Sequence, residues 1–378
     1  MVARAPVAPD HVRSISPYVP GKPIDDIARE LHLDPKTIIK LASNENPRGP
    51  SKHAVAAIAA AAAEITRYPD GNGFALKAQL SRKLGIDPAQ IVLGNGSNDI
   101  LELATQAFLR PGEAAIYAQH AFAVYPLATQ ARGGVGIEVP ARDYGHDLDA
   151  MRAAVTRDTR IVFIANPNNP TGSWISAQPL EAFIAAVPPQ VLIVLDEAYY
   201  EYLSRSDRAP SLAWVGRYPN LLVTRTFSKA YGLAALRVGY GVMSLEVADM
   251  LNRVRQPFNV NALAQVAAIA ALADTEYVEQ SRDLNDAGLT QIYQGLAHLH
   301  IAYLPSRANF VMAHVGDASR IYQSLLAQGV IVRPVANYGL PDWLRISVGL
   351  PEENERFLEA LETALAAAPS VHLVARAC

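Results

Sequence analysis

The sequence predicts an α/β chain: a large, doubly wound, mainly parallel sheet domain followed by a smaller α+β domain. Three observations point there. The runs 91–93, 160–164, 191–195 and 221–223 are short, almost wholly apolar and bounded by Gly, Pro, Asn or charge, as strands covered on both faces are. Helix-patterned segments at 98–109, 121–131 and 176–187 alternate with them, giving a βα rhythm from about 51 to 255. After Arg255 the texture changes. An alanine-rich helix is expected at 261–273 and a long amphipathic helix at 275–299. Strands follow at 308–314, 330–333 and 344–348, and a closing helix at 351–367. The first 45 residues carry no core of their own. The expected division is therefore 1–45 as a segment packing with the small domain, 46–260 as the large domain and 261–378 as the small one. No internal repeat is visible, and 369–378 reads as a weakly specified end.

Composition narrows the function. Of 378 residues half are hydrophobic and 18% charged, so the chain is neither disordered nor short of core. Its 33 Lys and Arg against 36 Asp and Glu leave a net charge of −3, with no basic excess for a nucleic-acid partner. The single cysteine, Cys378, excludes an internal disulfide framework and a cysteine-based metal cluster, and no metal is expected. The longest apolar stretch, 54–65, is shorter than the ~20 residues of a membrane span. The start, with Pro6, Pro9 and Pro20 among interspersed charges, has no apolar core like that of a signal peptide. A cytoplasmic protein with no membrane partner is the expectation.

Four motifs carry chemistry. In Thr226-Phe227-Ser228-Lys229-Ala230-Tyr231-Gly232, followed by Arg237, a lysine comes directly after a buried-type strand, in a small, hydroxyl-rich turn. Partial desolvation would lower its pKa and make it a nucleophile. Thr226, Ser228 and Arg237 offer two hydroxyls and a guanidinium fork for a phosphate. Read alone, the same residues fit a phosphate-free turn with a surface lysine. Asp196-Glu197-Ala198-Tyr199 ends the strongest strand, where open α/β sheets bind ligands. An acid there can hold a proton on a heteroaromatic nitrogen, and Tyr199 can donate to a phenolate-type oxygen. A solvated strand end with Glu197 exposed is the plainer alternative. In Asn166-Pro167-Asn168-Asn169-Pro170-Thr171-Gly172, two prolines and a glycine fix the loop and hold Asn169 as a donor. In Gly94-Asn95-Gly96-Ser97-Asn98-Asp99, glycines before a helix start expose free N–H groups to an anion, with Ser97 as a further donor. The run lacks the third glycine of a dinucleotide fingerprint. Together the four supply a Schiff-base lysine, an acid for a pyridinium nitrogen, donors for a ring oxygen and a phosphate cup. That is a site for pyridoxal phosphate.

These motifs, with Lys40 to Pro47 (KLASNENP), Arg67-Tyr68-Pro69-Asp70 and Leu344 to Gly349 (LRISVG), make the sequence resemble the fold-type-I pyridoxal-phosphate aminotransferases. Among these it is most similar to the histidinol-phosphate aminotransferases. The resemblance runs from about 16 to 367. It implies that 46–260 binds the cofactor and that Lys229 is the Schiff-base lysine and proton shuttle. It also implies that Asp196 keeps the pyridine nitrogen protonated, and that Asn169 and Tyr199 hydrogen-bond the ring oxygen. Gly96, Ser97, Asn98, Thr226, Ser228 and Arg237 bind the phosphate, and Phe122, where the family often has Tyr, stacks on the ring. His120 is read as a loop residue. Tyr68 resembles a tyrosine that reaches the neighbouring subunit's cofactor phosphate, implying a homodimer with shared sites; a tyrosine buried in a turn is the other reading. Arg345 matches the carboxylate-binding arginine, and Arg333, Tyr18 and Asn46 are further candidates for the substrate. The implied reaction converts histidinol phosphate and 2-oxoglutarate to imidazole acetol phosphate and glutamate. An aromatic amino acid aminotransferase is the first alternative, followed by a decarboxylase of a phosphorylated amino acid and a non-catalytic binding protein.

Overall fold

The computed structural model describes residues 6–367. The segment 369–378, with Cys378, lies outside the described residues. Seven strands form the large sheet: β1 (Ile91–Gly94), β2 (Ala114–Ala118), β3 (Val135–Val139), β4 (Thr159–Ala165), β5 (Leu192–Asp196), β6 (Leu221–Thr226) and β7 (Gly239–Val242). Their order is β1-β7-β6-β5-β4-β2-β3, and β7 alone runs opposite to the other six. The four apolar runs lie in β1, β4, β5 and β6, and these strands are buried almost throughout, because helices cover both faces.

Four further strands, β8 (Tyr303–Leu304), β9 (Phe310–His314), β10 (Arg333–Val335) and β11 (Leu340–Ser347), form an antiparallel sheet in the order β10-β11-β9-β8. Its apolar face meets the helices Ala318–Ala327 and Pro351–Ala366 and the far half of Thr275–His298 in a core of its own. Residues of the N-terminal segment join this side: Ile39–Lys40 pairs in parallel with Val330–Ile331, and Ile27, Ala28 and Ile38 pack on Leu326 and Ile331.

One element departs from the sequence expectation. The alanine-rich helix Ala262–Ala273, placed with the small domain by a boundary at 261, packs instead into the large core beside helices Lys52–Ala61 and Phe74–Leu84. Its small side chains permit that close approach on several faces at once. The change of core falls along the following helix, Thr275–His298, whose residues Leu289, Ile292 and Leu296 belong to the second cluster.

Candidate active site

The carboxyl ends of β4, β5 and β6 open into a cleft of about 190 Å³, closed from the other side by residues 42–44, Arg333 and Arg345. Asp196 is the last residue of β5 and Thr224 its register partner on β6. Buried Asp196 accepts from Thr224 Oγ1 (3.0 Å), Tyr125 Oη (2.9 Å) and the Ala198 N–H (3.2 Å). Burial raises its pKa, and the three hydrogen bonds oppose that rise. The carboxylate is thus fixed and partly desolvated, ready for a cationic partner such as a ring N–H⁺. Glu197 points to the opposite face. It is buried too, accepting both Nε and an NH2 of Arg225 on one oxygen (2.9 and 2.8 Å), so it is not the exposed member of a solvated pair.

The Lys229 amine lies in the cleft and donates to the Ser43 carbonyl at 3.0 Å. Burial first, and then the guanidiniums of Arg345 and Arg237, lower its pKa from 10.5 to about 7 against the opposing pull of Glu45. A substantial share of the amine is then unprotonated at neutral pH. Tyr199 accepts from Asn44 Nδ2 (2.9 Å), which leaves its own O–H to donate; burial raises it to about 12. Arg345 donates to Asn169 Oδ1 at 2.5 Å and to the Ala42 carbonyl at 2.7 Å. Because Arg345 occupies the carbonyl oxygen of Asn169, the amide NH2 of Asn169 is left as the donor toward the cleft. Both X–Pro bonds of its loop, Asn166–Pro167 and Asn169–Pro170, are cis.

An anion cup lies at one end. Ser97 and Asn98 open the 12-residue helix Ser97–Phe108, whose N-terminus has no side-chain cap, and the Asp99 carboxylate turns away to the Asn95 N–H and Asn259. Ser228 Oγ accepts from Arg237 (3.1 Å) and Thr226 Oγ1 accepts from the Ser228 N–H (3.1 Å), so both hydroxyl hydrogens remain free. Gly96, at φ +80°, leaves room for Arg237: a Cβ there would lie 2.2 Å from the guanidinium. A Cβ on Gly239 would lie 2.4 Å from the Ser97 nitrogen, so the cup is shaped by the absence of side chains. Phe122 lines the cleft with its ring edge-on to Tyr125 (centroids 5.9 Å apart).

At the other end Arg333 and Arg345 are cross-strand partners on β10 and β11 and so share a face. Two guanidiniums placed opposite each other repel, an arrangement suited to an anion between them. Arg333 donates to the Val19 carbonyl (2.6 Å) and lies over Tyr18, which lines the same mouth. The Arg345 Nε is buried and unpaired. Among the residues that line the cleft, Lys229, Arg237, Arg333 and Arg345 are cationic and Asp196 is the one carboxylate.

Two nominated residues lie elsewhere. Asn46 is not at the cleft: its amide donates to the Ala230 carbonyl, Tyr277 and Ser281 in the buried seam between the two cores. Tyr68 is 83% exposed and stacks on Phe258 away from the cleft, so a tyrosine buried in a turn is ruled out. Asn44 and Tyr125 also line the cleft, beyond the residues to which the sequence points. A family model described as aminotransferase class I and II matches residues 36–361. The chain belongs to that family. Among curated relatives of this aminotransferase, histidinol-phosphate aminotransferase 1 of Thiobacillus denitrificans is 60% identical, covering 97% of this chain and 96% of that protein. Histidinol-phosphate aminotransferase of Methylobacillus flagellatus is 61% identical, covering 95% and 97%. Among solved structures, histidinol-phosphate aminotransferase from Sinorhizobium meliloti in complex with pyridoxal-5'-phosphate superimposes with a TM-score of 0.89 at 31% identity, covering 97% of this chain and 99% of that one. The aminotransferase shares the fold type I architecture of that structure. No helix among the described residues is long and apolar enough to cross a membrane, and no group of three or more His, Cys, Asp or Glu among them is placed to hold a metal.

Proposed function

We propose that this chain transfers the amino group of histidinol phosphate to 2-oxoglutarate in histidine biosynthesis, with pyridoxal 5'-phosphate as cofactor. The observation that carries the reading is the union, in one cleft, of a lysine with a pKa of about 7, a buried carboxylate and two separate cationic ends. The residues fit the group. The cup of Ser97, Asn98, Thr226, Ser228 and Arg237, made roomy at Gly96, takes its phosphate. Asp196 takes its ring nitrogen, Tyr199 and the Asn169 amide its ring oxygen, and Phe122 one ring face. When bound, the cofactor supplies an exchangeable carbonyl carbon and an electron sink. Lys229 would hold the cofactor's carbonyl carbon and, as a free amine, would shuttle the proton released at the substrate's α-carbon. Asp196 holds the ring proton throughout. Arg345 and Arg333, with Tyr18, hold the distal anion, which is a phosphate in one half-reaction and a carboxylate in the other.

Two copies pair in this reading, each Tyr68 reaching the other's phosphate cup; its exposed ring beside Phe258, clear of its own cleft, supports this. The small domain begins within Thr275–His298, and the enzyme works in the cytoplasm. Single-turnover spectra with histidinol phosphate and with phenylalanine, together with a wide amino-donor panel, test the assignment. A larger specificity constant for phenylalanine makes it an aromatic aminotransferase. Carbon dioxide release without a keto acid makes it a decarboxylase, and no transamination with any donor makes it a binder.

A further inference from the structure

His120 lies outside the cleft lining, yet it touches three segments that shape the cleft. It sits at φ +58° in the turn after β2, two residues before Phe122. Its Nδ1 meets the carbonyl of Tyr338, in the turn that joins β10 to β11, the strands of Arg333 and Arg345. A carbonyl only accepts, so Nδ1 carries the hydrogen in either protonation state of the ring. Its own carbonyl accepts from Asn168 Nδ2 (3.1 Å), the buried neighbour of Asn169. The ring lies on Tyr144 (6.2 Å), which meets Trp343 of β11 edge-on (5.4 Å). Gly339, at φ +74°, gives the Tyr338 turn its left-handed backbone, and a Cβ there would stand in ordinary contact with the imidazole at 3.6 Å. Ala123, just past Phe122, packs against the same small-sheet cluster of Val335, Tyr338 and Trp343.

We infer that His120 is a positioning residue. It locks the Phe122 turn and the Asn169 loop of the large sheet to the Tyr338 turn of the small sheet. The aromatic face of the cofactor site and the paired arginines of the distal anion site are thereby held in one register. Loosening the tie leaves the Lys229 chemistry in place and lets the two ends of the cleft drift relative to each other, which weakens substrate grip and ring stacking together. The inference rests on the reading of the cleft as a pyridoxal-phosphate site.

The test uses holoenzyme of wild type and of His120→Ala, His120→Gly, His120→Asn and His120→Gln. It reads the induced circular dichroism of the bound cofactor, the cofactor dissociation constant, and KM and kcat for the amino donor. Asparagine tolerates positive φ and places an amide donor where Nδ1 stands, whereas glutamine carries its amide too far out. The expected result is a KM raised about threefold to tenfold in the Ala, Gly and Gln variants, the weight of one neutral hydrogen bond. The dichroic band falls in the same variants, and Asn restores both to within about twofold of wild type. Recovery by Gly would overturn the inference, because backbone strain alone would then explain the Ala defect. Failure of Asn to recover, or an Ala variant equal to wild type, would overturn it as well. Wild-type protein that shows no cofactor band at all would instead remove the reading of the cleft on which it rests.

Discussion

Replacing Arg345 by glutamine should raise the pKa of the Lys229 amine, and replacing Glu45 by glutamine should lower it. The amine stands near 7 instead of 10.5, with burial as the first cause, Arg345 as the second, and Glu45 pulling the other way. That displacement is a difference of about 5 kcal/mol between the two protonation states. At pH 7 it turns a free-base fraction of about 0.03% into about half, a gain on the order of 1,500-fold in nucleophile before any cofactor arrives. One nearby charge on a partly desolvated amine is worth about one unit, so each variant should move the titration roughly tenfold, in opposite directions. Burial keeps even the Arg345→Gln amine below an ordinary lysine. The measurement is the rate of dinitrophenylation of Lys229 in cofactor-free protein across pH, read on the isolated peptide. A wild-type midpoint near 10, or shifts of the same sign in both variants, would refute the reasoning. Linkage supplies a second reading. The folded amine binds its proton less tightly than the unfolded one, so the penalty is fully present below about 7. The stability of cofactor-free protein should then rise with pH between about 7 and 10.5, a slope that Lys229→Met abolishes.

Alanine at Gly96 must place its Cβ 2.2 Å from the Arg237 guanidinium at a positive φ, so cofactor affinity should fall at least about tenfold by equilibrium dialysis while the fold survives; unchanged affinity would show that Arg237 is not in the cup. Asp196→Asn should lower kcat about a thousandfold. Burial raises the folded Asp196 pKa, so the cofactor-free protein should lose stability as pH climbs from the ordinary carboxylate value through the raised one, and urea midpoints of the asparagine variant should lack that fall. Mixing Lys229→Ala with Tyr68→Ala protein should restore about a quarter of wild-type activity, because half the pairs are hybrids carrying one intact site each; no gain on mixing would exclude a shared site.

The large sheet was legible where burial is two-sided. β4 and β5 read as apolar runs because helices cover both their faces. β3, whose first two residues are exposed at the sheet edge, and β7, with two glycines in four residues, carry no such signature. β2 is illegible for another reason: three alanines among its five residues give little apolar contrast to its flanks. The helix Ala262–Ala273 is legible in the sequence, but its packing partner is not. Alanines on every face leave no single stripe to say which core it joins, and the size of the residues, rather than their pattern, fits it against Lys52–Ala61.

The site was legible residue by residue wherever one motif held both the chemistry and its geometry, as at Lys229. It failed where a choice depended on a neighbour's conformation. Of the two asparagines in Asn44-Glu45-Asn46, the first reaches the cleft because its left-handed backbone (φ +55°) turns its amide to Tyr199, while the second faces Tyr277 and Ser281. Tyr125 needed the fold itself, since it meets Asp196 across 71 residues of chain. The adjacent acids show how strongly the fold decides. Asp196 and Thr224 share the cleft face, and Glu197 and Arg225 share the face behind it, because side chains alternate along β5 and β6 and the register pairs Asp196 with Thr224. A slip of β6 by one residue would bring Arg225 opposite Asp196 on the cleft face, where its guanidinium would cancel the carboxylate that a pyridinium needs. The register of two buried strands therefore sets the charge opposite the lysine as firmly as the identity of the residues does.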